Sequence, residues 1–237
     1  MNAPLSLAGR TALIAGGAGG IGAAITRRFQ QAGATTIVVD RDDATPPEGA
    51  RFVPCDLTDA NAVTAMIAGI DPLHIVVHAA GVSRDAVLWK MTDPQWNDVM
   101  RVNLDSAFYL LRAVTPVLRR AGDGSIILVA SINGERGKRG LSNYAASKAG
   151  LIGLGRTAAR ELGAFGIRVN MISPGYIRTP MTQHLPEAVF ERAREETVLG
   201  RLGEPDDVAC VALFLASDLS RHVAGQVIRV DGGQLIG

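Results

Sequence analysis

The segment from Ser131 to Lys148 holds a hydroxyl, a phenol and an amine at a spacing that could move a proton. Tyr144 lies thirteen residues after Ser131, and Lys148 four residues after Tyr144. An unperturbed Tyr has a pKa of about 10 and a Lys about 10.4, so neither exchanges protons well near neutrality. With Ser142 or Asn143 as a helix N-cap, Tyr144 and Lys148 fall one turn apart on one face. An ammonium about 4 Å from a phenolate contributes roughly 4 kcal/mol at an effective dielectric of about 20. That interaction would bring the Tyr144 pKa down by up to about three units, toward ~7. The phenol then becomes a general acid or base. Ser131, at the end of an apolar run, is placed to hold a substrate oxygen against it.

A second constellation stands near the start. The apolar run TALIA, 11–15, leads directly into GGAGGIG, Gly16 to Gly22, and then into a helical pattern. Glycines there let backbone approach a pyrophosphate, and the following helix N-terminus offers free N–H groups and a partial positive charge. The run reads as GxGxxG from Gly17, Gly19 and Gly22, or as GxxxGxG from Gly16, Gly20 and Gly22. Asp40 follows Gly22 by eighteen residues, near the spacing of about 20 at which a carboxylate accepts from an adenosine ribose. A carboxylate there repels a 2′-phosphate, which predicts NAD(H) over NADP(H). Arg41 beside it could partly rescue phosphate binding. Asp56, after FVPC, ends a further strand where it could meet the adenine. A nicotinamide cation near Tyr144 would acidify the phenol further.

These groups need a frame. Runs rich in β-branched residues at 11–15, 35–39, 74–80, 125–130, 168–173 and 226–230 alternate with helical patterns at 20–32, 59–68, 95–119, 143–163 and 206–216. Continuous apolar strands between helices argue for a parallel sheet covered on both faces, a doubly wound α/β fold. Gly33 is positioned as a left-handed cap. Neither a repeat nor a linker divides the chain, so a single domain over 1–237 is expected.

The composition, 47% hydrophobic and 20% charged with 27 Gly, describes an aliphatic globular interior. A net charge of +1 supplies no domain-wide basic field, which argues against nucleic-acid binding. Cys55 and Cys210 form no CxxC pattern, and no His/Cys/carboxylate cluster has metal-site spacing, so neither a disulfide framework nor a metal is expected. With no signal-peptide pattern or membrane-length apolar run, a soluble cytoplasmic protein is expected.

Through GGAGGIG, CDLTD, HAAG, VNL, the Ser-Tyr-Lys set, SPGYIRTPM and RVDGG, the chain resembles the short-chain dehydrogenases/reductases over essentially its whole length. The resemblance implies a Rossmann-type doubly wound sheet, a homotetramer, and a catalytic tetrad of Asn103, Ser131, Tyr144 and Lys148. It has Lys148 also hold the nicotinamide ribose while Asn103 orders a proton-relaying water. It adds Ile21, Leu57, Ala80 and Gly81 to the cofactor contacts made by the glycines, Asp40, Arg41, Asp56, Tyr144 and Lys148. Pro174, Gly175, Ile177 and Thr179 would border the nicotinamide carboxamide. Ala15 stands where the family usually has Thr, and Ala79 where NNAG has its second Asn.

Within that family, RDAVLWKMTDPQW, NYAASKAGLIGL and LGRLGEPDDVA look like 3-oxoacyl carrier-protein reductases and acetoacetyl-CoA reductases. Those enzymes usually take NADP, against Asp40. The docking arginines of the carrier-protein enzymes are replaced by Gly122-Asp123 and Ala164-Phe165, although Arg119 and Arg120 lie close by. The expectation is therefore an NAD-linked dehydrogenase of a 3-hydroxyacyl-CoA or related secondary alcohol. An NADPH-dependent carrier-protein reductase is the alternative, and a catalytically silent nucleotide-binding subunit is the alternative of another class.

On the substrate side, Arg84, Arg136, Lys138, Arg139 and Arg178 either receive an anionic or CoA-linked substrate together or are solvated loop charges. A lid is expected over about 176–200, with an amphipathic helix at Leu185 to Leu199. His184 reads as a pocket or surface residue, and His74 and His78 as structural. Phe108, Leu111, Ala146, Gly150 and Gly153 exceed what one sheet face needs and suggest subunit contacts.

Overall fold

An apolar, β-branched run settles as an interior strand when both of its faces can be covered. The computed structural model describes residues 5–180, 182 and 187–236. It aligns β1 (Thr11–Ala15), β2 (Thr35–Asp40), β3 (Arg51–Pro54), β4 (Ile75–His78), β5 (Gly124–Val129), β6 (Ile167–Pro174) and β7 (Val227–Val230) in one sheet. Its seven strands run β3-β2-β1-β4-β5-β6-β7, and every pairing is parallel. The expected doubly wound α/β sheet is therefore what forms. Strand β3, absent from the six clearest apolar runs, sits at the edge, where only part of its surface must be apolar.

Alternate residues of each strand feed two separate cores. Leu13 and Ala15 join the side chains of α2 (Ala60–Ala68), α4 (Ser106–Ala121) and α6 (Ser142–Leu162) on one face. Ala12 and Ile14 join those of α1 (Gly20–Gln31) and α8 (Pro205–Ala216) on the other. Gly33, at φ 92°, closes the turn after α1 as expected.

The helix expected over 95–119 is two helices. α3 (Asp93–Met100) begins earlier because Thr92 and Gln95 form a reciprocal capping box. A π-helical turn, Arg101–Asp105, then precedes α4. Such turns insert one residue into the helical register and recur at functional sites; this one carries Asn103. A short helix α5 (Ile132–Arg136) forms where no helix was expected. Neither Ser142 nor Asn143 caps α6: Leu141 occupies that position without a side-chain cap, so both lie inside the first turn.

The expected lid helix is shorter than its sequence pattern. α7 spans Glu187–Glu195, while Leu185 and His184 fall outside the described residues. Val198 and Leu199 follow it in exposed positions instead of extending its apolar face. No helix among the described residues is long and apolar enough to cross a membrane.

Candidate active site

Strand order reverses direction between β1 and β4, so the loops leaving their carboxyl ends diverge and open a crevice, the usual ligand position in such sheets. The carboxyl ends of β1 to β6 carry most of the residues singled out from the sequence, with Asn103 in the π turn and Tyr144 and Lys148 in α6.

At the β1 end the structure selects the GxxxGxG register. Gly16 adopts φ 76°, and a Cβ on it would stand 2.5 Å from the Ala80 nitrogen. A Cβ on Gly22 would stand 2.0 Å from the Gly16 carbonyl oxygen. Turn and helix therefore pack at backbone distance, a cradle that any side chain would fill. Thr26 Oγ1 donates to the Gly22 carbonyl at 2.9 Å and braces the turn from within α1. Gly20 faces Thr179, whose Cβ would lie 3.5 Å from a Cβ placed there, so SPGYIRT returns over the glycine turn.

Asp40 ends β2 beside this cradle. One carboxylate oxygen accepts from the Ala18 amide at 3.1 Å and the other from the Arg41 amide at 2.9 Å. The Arg41 guanidinium is exposed and stands 3.5 Å from Asp43, away from the carboxylate it follows. Asp56 lies beyond β3, where the Thr58 amide and hydroxyl hold its carboxyl below the usual range. Leu57 beside it is buried. These residues fit the adenosine and pyrophosphate portions of a dinucleotide.

At the β4 and β5 ends the residues expected to transfer a proton come together. Ser131 caps α5, its Oγ accepting from the Asn133 amide at 3.2 Å, and its hydroxyl favours the ionised form of the Tyr144 phenol. Lys148 is 3% exposed, and its Nζ donates to the Val129 carbonyl at 2.8 Å. Burial brings Lys148 down to about 8. A Cβ on Gly81 would lie 3.4 Å from Lys148 Nζ and 3.5 Å from Asn103 Oδ1, so that glycine keeps the corner open. Asn103 Oδ1 accepts from the Val82 amide at 2.8 Å, and its Nδ2 donates to the Val82 carbonyl and Ser147 Oγ, each at 3.0 Å.

The expected acidification of Tyr144 is not what this geometry produces. Burial pushes the phenol above its ordinary range, Ser131 opposes the rise, and the Asp85 carboxylate adds to it. Lys148 Nζ stands 5.6 Å from the ring centre and directs its donor at a carbonyl. Desolvation of the phenolate is the largest influence on the group.

Asn143, expected only as a cap, has a larger part. Its amide donates to the Arg84 and Gln95 carbonyls at 3.0 Å each, and its Oδ1 accepts from the Tyr144 amide at 2.7 Å. Three part-buried backbone groups from separate segments meet on one buried side chain. Nothing in its spacing signals this, because the carbonyls it satisfies are brought there by the fold.

The cations proposed to receive an anion together are largely committed in pairs. Arg84 meets Asp98 at 2.8 Å, Arg136 meets Glu196 at 3.2 Å and Arg178 meets Glu204 at 3.5 Å. Lys138 Nζ donates to the Tyr176 hydroxyl at 3.1 Å. Pro174 ends β6, and Gly175 and Ile177 follow it, the Gly175 amide donating to the Val230 carbonyl at 3.0 Å. His74 Nδ1 accepts from the Thr11 amide at 3.0 Å. His78 is fully buried, and burial, helped by the Lys148 charge, drives it down to about 3. Both histidines are structural, as expected. Among the described residues no group of three or more His, Cys, Asp or Glu is arranged to hold a metal.

The family model described as enoyl-(acyl carrier protein) reductase matches residues 16–234. A 3-oxoacyl-(acyl-carrier-protein) reductase of Thermotoga maritima is 40% identical, covering 98% of this chain and 100% of its own. A (3R)-3-hydroxyacyl-CoA dehydrogenase of Canis lupus familiaris is 39% identical, with 98% and 99% covered. Among solved structures, a protein from Agrobacterium tumefaciens described as a 2-deoxy-D-gluconate 3-dehydrogenase, with NADP bound, superposes with a TM-score of 0.91 at 33% identity, covering 98% of both chains.

Proposed function

The chain belongs to the short-chain dehydrogenase/reductase family of oxidoreductases, and from that premise we propose an NAD-linked enzyme that interconverts a secondary alcohol and a ketone on a 3-hydroxyacyl-CoA or related hydroxy compound. The observation that carries this reading is the meeting of Ser131, Tyr144 and Lys148, with Asn103 one glycine away, at the carboxyl ends of β4 and β5.

The nicotinamide, when bound, supplies hydride exchange with the carbinol carbon and, in its oxidised form, a positive charge. The chain's own residues handle the oxygen and its proton. Ser131 Oγ donates to the substrate oxygen and holds it against the phenol. Tyr144 exchanges the proton with that oxygen as general acid or base. Its raised pKa leaves it a phenol near neutrality, the form that donates a proton to a ketone. Oxidation needs the phenolate and is therefore favoured by alkaline pH. Lys148, fixed by the Val129 carbonyl, places its charge and remaining donors at the ribose side of the corner. Asn103 holds the neighbouring turn and orders the water that passes the proton outward.

Asp40 supports NAD over NADP. Its carboxylate lies beside the glycine cradle, where it would repel a 2′-phosphate, while Arg41 is drawn to Asp43. NADP in the Agrobacterium relative belongs to that protein's own site. The test compares NADH with NADPH at equal concentration, and a strong NADPH preference defeats this part of the reading.

The Canis dehydrogenase supports a CoA thioester. A carrier-protein substrate is the second reading, favoured by the Thermotoga relative. Against it, Arg119 is stacked on Phe165 at 3.9 Å and Arg120 stands 3.6 Å from Asp71, so both nearby arginines are engaged. Turnover of 3-hydroxybutyryl-CoA with NAD, compared with reduction of acetoacetyl carrier protein with NADPH, separates the two readings.

The enzyme is read as a cytoplasmic homotetramer. Leu111 is buried within its own chain and so is not free for subunit contact. Phe108 is 44% exposed on the same helix and supports an interface there. Sedimentation equilibrium that finds a monomer overturns the assembly.

A further inference from the structure

His78 is the last residue of β4, with no exposed surface. Its Nε2 lies 2.8 Å from Ser106 Oγ. Ser106 is the first residue of α4 and closes the π turn. Its amide bonds to the Arg101 carbonyl, five residues back, and not to Val102 as an α-helical register requires. Its hydroxyl takes over that missing partner and donates to the Val102 carbonyl at 2.6 Å.

A hydroxyl has one proton, and at that separation from a carbonyl it must lie between the two oxygens. His78 Nε2 therefore carries a hydrogen and donates into the Ser106 oxygen. The other ring nitrogen, Nδ1, is left unprotonated, and it has no partner among the described residues. A buried acceptor without a partner is unfavourable, and such a group calls for a reason. A leucine would fill the same space without one.

The reason is what lies beyond the turn. The residue after Val102 is Asn103, whose amide donates to Ser147 Oγ at 3.0 Å, and Ser147 Oγ donates to the Tyr144 carbonyl at 2.8 Å. An ordered series thus runs from the sheet, through Ser106 and the π turn, to the backbone of Tyr144. We propose that His78 is a positioning residue that holds the π turn open, so that Asn103 and, through Ser147, the Tyr144 turn keep their places. This rests on the reading of Asn103 and Tyr144 as catalytic.

The experiment combines amide hydrogen exchange over 101–106 with steady-state kinetics on the whole protein, for His78→Leu, His78→Gln and Ser106→Ala. Leucine fills the ring's volume without a donor, and glutamine returns an N–H at nearly the same reach. Exchange at 101–106 should accelerate in His78→Leu and Ser106→Ala. Their kcat should fall about ten- to a hundred-fold, as small displacements of catalytic groups cause, with KM within about twofold. His78→Gln should restore both readouts. Unchanged exchange, unchanged kcat, or failure of glutamine to rescue overturns the proposal. If His78→Leu does not fold, Ser106→Ala decides by the same readings. A wild-type protein inactive on every alcohol tried defeats the functional reading, and the exchange result then decides the brace alone.

Discussion

Lys148 Nζ donates to the Val129 carbonyl at 2.8 Å and stands 5.6 Å from the centre of the Tyr144 ring. The ammonium is thus anchored to the end of β5 before any ligand contacts it. Its burial disfavours its own charge, which makes the residue costly to the fold it serves.

That cost is measurable. Lys148 falls from an ordinary 10.5 to about 8 in the folded chain, a difference worth about 3 kcal/mol at 1.36 kcal/mol per unit. Between those two values the unfolded chain holds the proton and the folded chain does not, so stability rises with pH across that window. Below about 8 both states are protonated and the full penalty remains. Lys148→Met should therefore raise the stability of the free protein at pH 7 by about 2 kcal/mol, after about 1 kcal/mol is lost with the Val129 hydrogen bond. The gain should shrink above pH 8, vanish at about pH 10 and turn into a loss of about 1 kcal/mol at higher pH. Denaturant midpoints across pH check this, and an unstabilised variant at pH 7 contradicts it. Turnover should be lost throughout.

Tyr144→Phe keeps the ring and removes the proton. It should reduce kcat by about a thousandfold, within the range a positioned acid–base group contributes, while leaving NADH affinity within about threefold. In the wild type, alcohol oxidation should increase toward alkaline pH, because the phenol is raised by burial. A flat profile between pH 6 and 9, measured with the slow step shown to be chemical, would count against Tyr144 as the base.

Asp40→Asn removes the charge next to the glycine cradle and keeps the shape. Relief of a like-charge contact should shift the NADPH/NADH ratio of kcat/KM toward NADPH by roughly ten- to a hundredfold. Paired kinetics with both dinucleotides measure this. An unchanged ratio places the carboxylate away from the 2′ position.

Gly22→Ala drives a methyl group to 2.0 Å from the Gly16 carbonyl oxygen, which the turn can relieve only by moving. The displacement should cost about 1–3 kcal/mol of stability and weaken NADH binding more than tenfold by fluorescence titration. Normal binding would show that the cradle has room to spare.

Asn143→Leu leaves the Arg84 and Gln95 carbonyls and the Tyr144 amide without their partner. Unsatisfied buried groups cost about 1–3 kcal/mol apiece, so a loss of at least about 2 kcal/mol is expected in chemical denaturation. Asn143→Asp should lose nearly as much, since a carboxylate accepts but cannot donate to the two carbonyls. A neutral result for leucine would mean that water replaces the amide.

Much of this site is local chemistry, and local chemistry is legible along the chain. The GGAGGIG turn follows an apolar run because glycine alone tolerates positive φ and backbone contact, and Asp40 follows at a strand's end. Tyr144 and Lys148 lie one turn apart because the helical repeat puts them there. The strands declared themselves because interior parallel strands need apolar residues on both faces. The start of α3 is signalled by Thr92 and Gln95, a capping box that the expectation of 95–119 passed over.

The remainder depended on neighbours distant in sequence. That Gly16 and Gly20 matter and Gly19 does not was settled by Ala80, which abuts Gly16 from the neighbouring strand, by the positive φ of Gly20 and by the open space around Gly19. The direction of the Tyr144 shift was decided by how much protein surrounds the phenol, and helical spacing carries no information about burial. Asn143, Ser106 and His78 acquired their partners from separate loops and helices. By itself the order of residues determined the fold class, the one-turn spacing of Tyr144 and Lys148 and the acidic neighbour of the glycine turn, since each follows from backbone periodicity and side-chain type. Only the folded chain decided how those groups are desolvated, braced and charged, because such properties are sums over atoms that meet nowhere but in three dimensions.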